Sequence, residues 1–392
     1  MSSDELIGGR WPSIDAVNQE LTLLQACIEG WLDTLRHLVD EEHVDPSRQF
    51  PHGGTPLSVA ATGGHTELVR FLAIDKEVDV NSYCEGLTPL HAAALGGHLD
   101  ILKLLICERG CNPMQIVRDP LVRGRTPLHL ACQNGHLDVV EYLVGEQNVD
   151  KEWRDSSGIT PLYVAAYCGY LDIVKLLIKG GCNPLLSNMN GHTPFLAACQ
   201  EGHDEVANYL IEEGNVDPSC RSLNGSTPLH TAASSGRTEI VRYLAVEKHC
   251  DTKCRTSDGN LPLHLAASNG HLDVVMFLIT EMKCDPMSRG QQGKTPLHCA
   301  CQEGHLDVVE YLIDKQQVDP QSKDLMGFTP LHRAVVGDQL AVVKYLVVDR
   351  NCSPSPRSIP LNMTPYDFAY KCGRKEIADY LQSMGGGPSG GE

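Results

Sequence analysis

The sequence predicts an all-α repeat solenoid, built from helix–turn–helix pairs joined by β-hairpin-like fingers, and three observations carry that reading. A Thr-Pro pair recurs at Thr55, Thr88, Thr126, Thr160, Thr193, Thr227, Thr295, Thr329 and Thr364, with Leu261-Pro262 filling one further slot, so the steps run from 33 to 38 residues. Five residues after the slot all ten units carry Ala, from Ala60 to Ala369. Seventeen after it all ten carry Leu, from Leu72 to Leu381. A period of this length marks units that cannot bury an apolar face alone and complete their core by stacking.

Each element of the unit has a physical reason. The Thr hydroxyl can cap a helix and Pro is tolerated in its first turn, so a helix starts at this pair. The Ala that follows lets neighbouring helices approach closely. Nine units have Gly nine residues after the slot, as in Gly135 and Gly304, where a helix end favours a left-handed backbone; Asp338 is the exception. A second helix of the type HLDVVEYLI follows, with an acid in its first turn in nine of ten units, matching the positive end of the helix dipole. Gly two residues before the slot, again nine times in ten, marks a tight turn in the finger. Leu261 cannot cap as Thr does, so it and Asp338 are expected weak points, and Leu261→Thr is expected to stabilise the array.

These registers divide the chain into a polar tail, 1–18; a solenoid, 19–383; and a Gly-rich tail, 384–392. The solenoid opens with a cap unit, 19–50, in which LTLLQACIEGWLDTLRHL keeps Ala26, Gly30 and Leu38 in register without Thr-Pro. Repeats start near 53, 86, 124, 158, 191, 225, 259, 293 and 327, and a C-terminal cap unit near 362.

A formal net charge of −18 argues against a nucleic-acid partner, which needs a basic surface to release counterions. No run of about 18 apolar residues suggests a membrane span, and MSSDELIGGRWPS lacks the apolar core of a secretory signal. A cytoplasmic or nuclear monomer is the expectation. The stretch GKTPLHCACQEGHLDVVEYL crowds His298, Cys299, Cys301 and His305 as a metal or thiol site would. Register argues otherwise. His298 shares its slot with five other histidines and His305 with another five, Cys301 sits where other units have mainly Ala, and Gly304 should break the helix between them. The sixteen cysteines are therefore expected to be reduced, with no metal and no cofactor.

The Thr-Pro-Leu-His signature followed by Ala and a Gly-His turn resembles the ankyrin repeat, over roughly residues 19 to 383. The resemblance implies a curved array of helix pairs with projecting fingers, recognition of a protein or peptide partner in a concave groove and on the fingers, and no catalysis. Under it the residues free to vary are the finger tips, the residue before Thr and the two before the turn Gly; this last set includes Gln133, Asn134, Tyr167, Cys168, Gln200, Glu201, Ser234, Ser235, Ser268, Asn269, Gln302 and Glu303.

One region departs from the pattern. The 38-residue step lengthens the finger MQIVRDPLVRGR, with Arg118, Arg123 and Arg125; the next finger brings Trp153 and Arg154; the unit after it has Tyr163 and Tyr170 in the histidine slots and adds Tyr167. Aromatic and Arg side chains are common interface anchors. A column of cations, Arg154, Arg221, Arg255, Arg289 and Lys323, falls six residues before the slot and could steer an acidic segment of a partner. The finger Asp79-Val80-Asn81 resembles asparaginyl hydroxylase substrates, which makes Asn81 a candidate modification site. The leading function is a scaffold or adaptor. The alternative is the targeting region of a larger signalling, channel or ubiquitin-ligase-type protein, since SMGGGPSGGE looks like the end of a flexible linker.

Overall fold

A computed structural model of the chain describes residues 14–51, 53–118, 123–359 and 361–388. Most of the polar tail, four residues of the long finger and the last four of the Gly-rich tail lie outside these. The described residues form twenty-two helices in eleven successive pairs, in two compact units, Met1–Asn183 and Pro184–Glu392. The first helix runs Ile14–Glu29 and so begins inside the segment expected as tail.

Within each unit the first helices of successive repeats pack side by side. The sequence registers explain the packing. The Ala five residues after the slot and the Leu seventeen after it are fully buried in all ten repeats. The second helix is often short, Leu137–Glu141 for example, and in six repeats and the N-terminal cap unit it continues into a wider turn such as Tyr142–Glu146. The chain then leaves through a left-handed residue, among them Glu77, Asn148, His249 and Gln317, at φ of 47 to 55°.

Histidines tie many repeats to their neighbours. In six repeats the fourth signature residue is a buried His: His91, His129, His230, His264, His298 and His332. The backbone N–H of the slot residue donates to its Nδ1 at 3.1 to 3.3 Å. Nδ1 is thus the acceptor, and Nε2 carries the proton. That proton goes forward to a carbonyl in the next finger, Gln115, Ile159, Asn260, Lys294, Phe328 or Met363, at 2.9 to 3.2 Å. The turn histidines reach backward: Nε2 of His65, His98, His136, His271 and His305 meets a carbonyl of the preceding turn at 2.7 to 3.0 Å. Their rings lie on the turn glycines; a Cβ at Gly30 would meet His65 Nδ1 at 2.5 Å.

Two expectations change. Among the described residues the fingers hold no strand, only an isolated bridge between Cys84 and Leu87. A typical tip is a single closed turn, with Asp155 N–H on the Ile159 carbonyl and Gly158 N–H on the Asp155 carbonyl, both 2.9 Å. Neighbouring fingers share single backbone bonds, such as Ser257 N–H to the Asn224 carbonyl at 2.9 Å. Leu261 also reads differently. It is buried in the core, so a Thr there would lose roughly 1 to 2 kcal/mol of apolar burial against about 1 kcal/mol for a hydroxyl on His264 Nδ1. The expected stabilisation disappears.

Asp338 does sit at a cost. It takes the left-handed turn position at φ 64°, and it is partly compensated by an exposed ion pair with Arg374 at 2.9 Å. A left-handed non-Gly residue costs roughly 1 to 2 kcal/mol and a surface pair returns at most about 1. Asp338→Gly is therefore expected to raise stability by about 0.5 kcal/mol; a lower denaturation midpoint would show that the pair outweighs the strain.

Burial pushes the six signature histidines down to about 4, against about 6.5 when unfolded. Between those values the unfolded chain binds more protons, so the stability these histidines contribute is complete above about pH 6.5 and is lost as pH falls toward 4. The slope is at most about 1.4 kcal/mol per pH unit for each histidine. Urea midpoints are expected to be level near pH 7 and to fall steeply between about 6.5 and 4.5; a flat profile over that window would contradict the assignment.

Candidate functional site

The aromatic departures converge in the first unit. Arg125, Gln133, Ile159, Tyr163, Val164, Tyr167 and Cys168 line a mainly apolar cavity of about 280 Å³. Tyr163, in a signature-His slot, is buried, and Tyr167 lies one helical turn on, so the rings stack with centroids 6.5 Å apart and planes at 10°. Arg125 forms the polar edge. Its Nε donates to Asp155 at 3.2 Å and one terminal nitrogen to Gln133 Oε1 at 2.7 Å. Asp155 is itself held by the N–H groups of Ser157 and Ile159. The guanidinium is thus braced within the cavity wall, a different place from the exposed finger tip that its sequence position suggests.

Trp153 connects to this wall from the finger: its indole N–H donates to the Gly124 carbonyl at 2.9 Å while 39% of the residue stays exposed. Tyr167 is 42% exposed. Tyr170 stands apart, its ring covering the turn at Gly135 in the manner of the turn histidines. The long finger keeps its closing bonds, Val117 N–H to the Arg125 carbonyl at 2.8 Å and Gly124 N–H to the Val117 carbonyl at 3.1 Å. Arg118 covers the Tyr83 ring at 4.1 Å, and Arg123 is exposed.

The cation column is a ladder in the second unit. Arg221 donates from one nitrogen to the Gly225 carbonyl at 2.8 Å and to the Arg255 carbonyl at 2.9 Å. Arg255 bonds Gly259 and Arg289 alike, Arg289 bonds Gly293 and Lys323, and Lys323 reaches Arg357. These cations stitch fingers together while their heads remain at the surface. Arg154, in the first unit, bonds the Gly158 carbonyl of its own finger at 3.3 Å.

His298 is fully committed, to Thr295 and to the Phe328 carbonyl, and His305 points back to the Ser268 carbonyl at 3.0 Å. Burial raises the Cys301 thiol well above its ordinary value and Cys299 to about 11, so neither is a ready thiolate. Among the described residues no group of three or more His, Cys, Asp or Glu converges as a metal site. Asn81 is exposed in a turn, its backbone N–H held by the Asp79 carboxylate at 2.9 Å.

A second cavity, in the second unit, has different chemistry. About 430 Å³ is lined by His192, Gln200, Asn224, Ser226, His230, Thr231, Ser234, Ser235, Thr256, Asp258, Asn260 and Leu265. Gln200, Ser234 and Ser235 belong to the groove set read from sequence. The others were missed, although a signal existed: a single repeat carries small hydroxyl residues at every groove position.

A family model described as ankyrin repeats (3 copies) matches residues 23–117, 114–188, 181–256, 245–324 and 263–358. No curated protein matches the chain.

Proposed function

We propose, because this chain belongs to the ankyrin-repeat family and ankyrin repeats are generally protein–protein interaction modules, that it acts as a non-catalytic adaptor which holds a protein partner on the first unit. The observation that carries this reading is the cavity floored by the Tyr163–Tyr167 stack and edged by Arg125. A rigid aromatic floor accepts an apolar side chain at little entropic cost, and a braced guanidinium offers directed donors to the partner's carbonyls or carboxylates. Trp153 extends the contact area from the finger. The ladder of Arg221, Arg255, Arg289 and Lys323 supports an acidic segment on the partner, and Tyr170 and Arg123 border rather than build the pocket. Function as the targeting region of a larger protein would use the same surface.

The test is a binding measurement on a partner recovered by affinity capture with the full chain. Tyr167→Ala and Trp153→Ala are each expected to weaken it by about 2 kcal/mol without moving the melting temperature, while Gln302→Ala leaves it unchanged. Equal loss from Gln302→Ala and none from Tyr167→Ala would move the site to the second unit.

Asn81 supports a second, separate reading, as a substrate of an asparaginyl hydroxylase. It is exposed, and its flanking Val80 is buried, so a short opening of the finger would present the side chain. Incubation with such an enzyme and peptide mass mapping is expected to place one added oxygen on Asn81; an unmodified peptide would end this reading.

A further inference from the structure

The two cavities draw their linings from corresponding positions of the repeat, among them the residue before the slot and those four, seven and eight after it. In the first unit they supply Arg125, Val164, Tyr167 and Cys168 to the aromatic cavity. In the repeat that starts at 225 they are Ser226, Thr231, Ser234 and Ser235, four small hydroxyl residues in one repeat. The neighbouring repeats place larger groups on either side, His192 and Gln200 before, Asn260 and Leu265 after. Small residues between larger ones leave a notch, which is the cavity of about 430 Å³.

The lining has a definite electrostatic sense. Asp258 is exposed at the notch, and among the described residues its carboxylate makes no hydrogen bond or ion pair. Gln200 uses its amide nitrogen on Glu201 at 3.0 Å, which leaves its carbonyl oxygen to the cavity. Ser226 and Ser235 add hydroxyls without a partner among the described residues. Among the described residues no cation lines the notch: Arg237 is turned to Glu201 and to the main-chain carbonyl of Gln200, which leaves the side-chain oxygen of Gln200 untouched, and Arg221 is held in the finger ladder. Burial keeps His230 and His192 below their ordinary range, so both are neutral near pH 7. A cavity with one free carboxylate, several oxygen acceptors and no positive charge attracts a cation that can donate in several directions.

We propose that this notch receives an arginine side chain from a protein partner, with Asp258 as its counter-ion and the Gln200 carbonyl and serine hydroxyls as further acceptors. A guanidinium offers five donors in a planar fork, which suits acceptors spread around a cavity, whereas an ammonium is a compact, strongly hydrated point charge. The inference rests on the reading of the groove as a protein-binding face, but it uses the second unit and other residues.

Random peptides displayed on phage, panned against the full chain at physiological salt, give the probes, and their affinities are then measured on Asp258→Asn, on the notch-filling Ser235→Trp and on Tyr167→Ala. Peptides weakened by Ser235→Trp are expected to share an Arg at a fixed position, to lose about tenfold on Asp258→Asn, and to be indifferent to Tyr167→Ala. Replacing that Arg by Lys should weaken them further than the charge alone requires. The proposal is overturned if no peptide depends on the notch, if notch-dependent peptides carry acidic or apolar residues instead, or if Asp258→Asn leaves them unchanged. Should Ser235→Trp disturb the fold, seen as a lowered melting temperature, the conservative Asp258→Asn decides alone. Failure here, with Tyr167→Ala still abolishing capture of a partner, would leave the first-unit site standing, and the reverse pattern would leave the notch.

Discussion

The hydrogen bond from a buried histidine Nε2 to a carbonyl of the following finger is the interaction on which the repeat stack depends. A finger has too few residues to pair its own backbone, as the single closed turn at Asp155 and Ile159 shows, and an unmet buried carbonyl costs roughly 1 to 3 kcal/mol. The histidine solves two problems with one ring. Nδ1 accepts the N–H that begins its own helix, and Nε2 meets the next repeat's carbonyl. A protonated ring would lose its acceptor, which is why burial and neutrality go together here. Where His is absent the work is divided: Ser58 trades bonds with Thr55 in a reciprocal cap, and Thr160 caps Tyr163 directly.

That division explains why some of the molecule could be read from its sequence and some could not. Ala and Leu at fixed offsets declare themselves because close packing admits few residue types, and the turn Gly because at most of those turns a Cβ would run into the side chain that the next repeat lays on it; all ten buried Ala and Leu positions follow the register. The left-handed exits from the second helices were invisible, since Glu77, Asn148, His249 and Gln317 share no chemistry that marks them. Leu261 misled for a related reason: the slot was read as a cap when the side chain is also core. A backbone conformation that any residue can tolerate at modest cost leaves no signature.

The candidate sites were half legible for the same physical cause. Departures from the repeat singled out Tyr163 and Tyr167, which share a cavity wall, and grouped with them Tyr170, whose ring replaces a turn histidine over Gly135. Arginines were harder still. Arg125 and Arg333 resemble surface cations in sequence, yet each is drawn inward by an aspartate five residues before a slot, Asp155 and Asp324, whose carboxylates are already fixed by finger N–H groups. Removing either aspartate would strand a partly buried guanidinium, so these pairs shape the groove while taking charge away from its surface.

The same bookkeeping of charge decides what the two cavities can hold. Nine of the ten repeats place an acid in the first turn of the second helix, where the helix dipole favours it, and the acids that line the two cavities are few. A single carboxylate therefore dominates its surroundings. At the first-unit cavity Asp155 is spent on Arg125, and what remains is an apolar floor with directed donors. In the second unit small hydroxyl residues remove bulk without supplying a cation, and Asp258 makes no ion pair among the described residues. The proposed occupants therefore differ only with how the groove positions are filled over a shared repeat frame: an apolar anchor for the first unit, a basic one for the second.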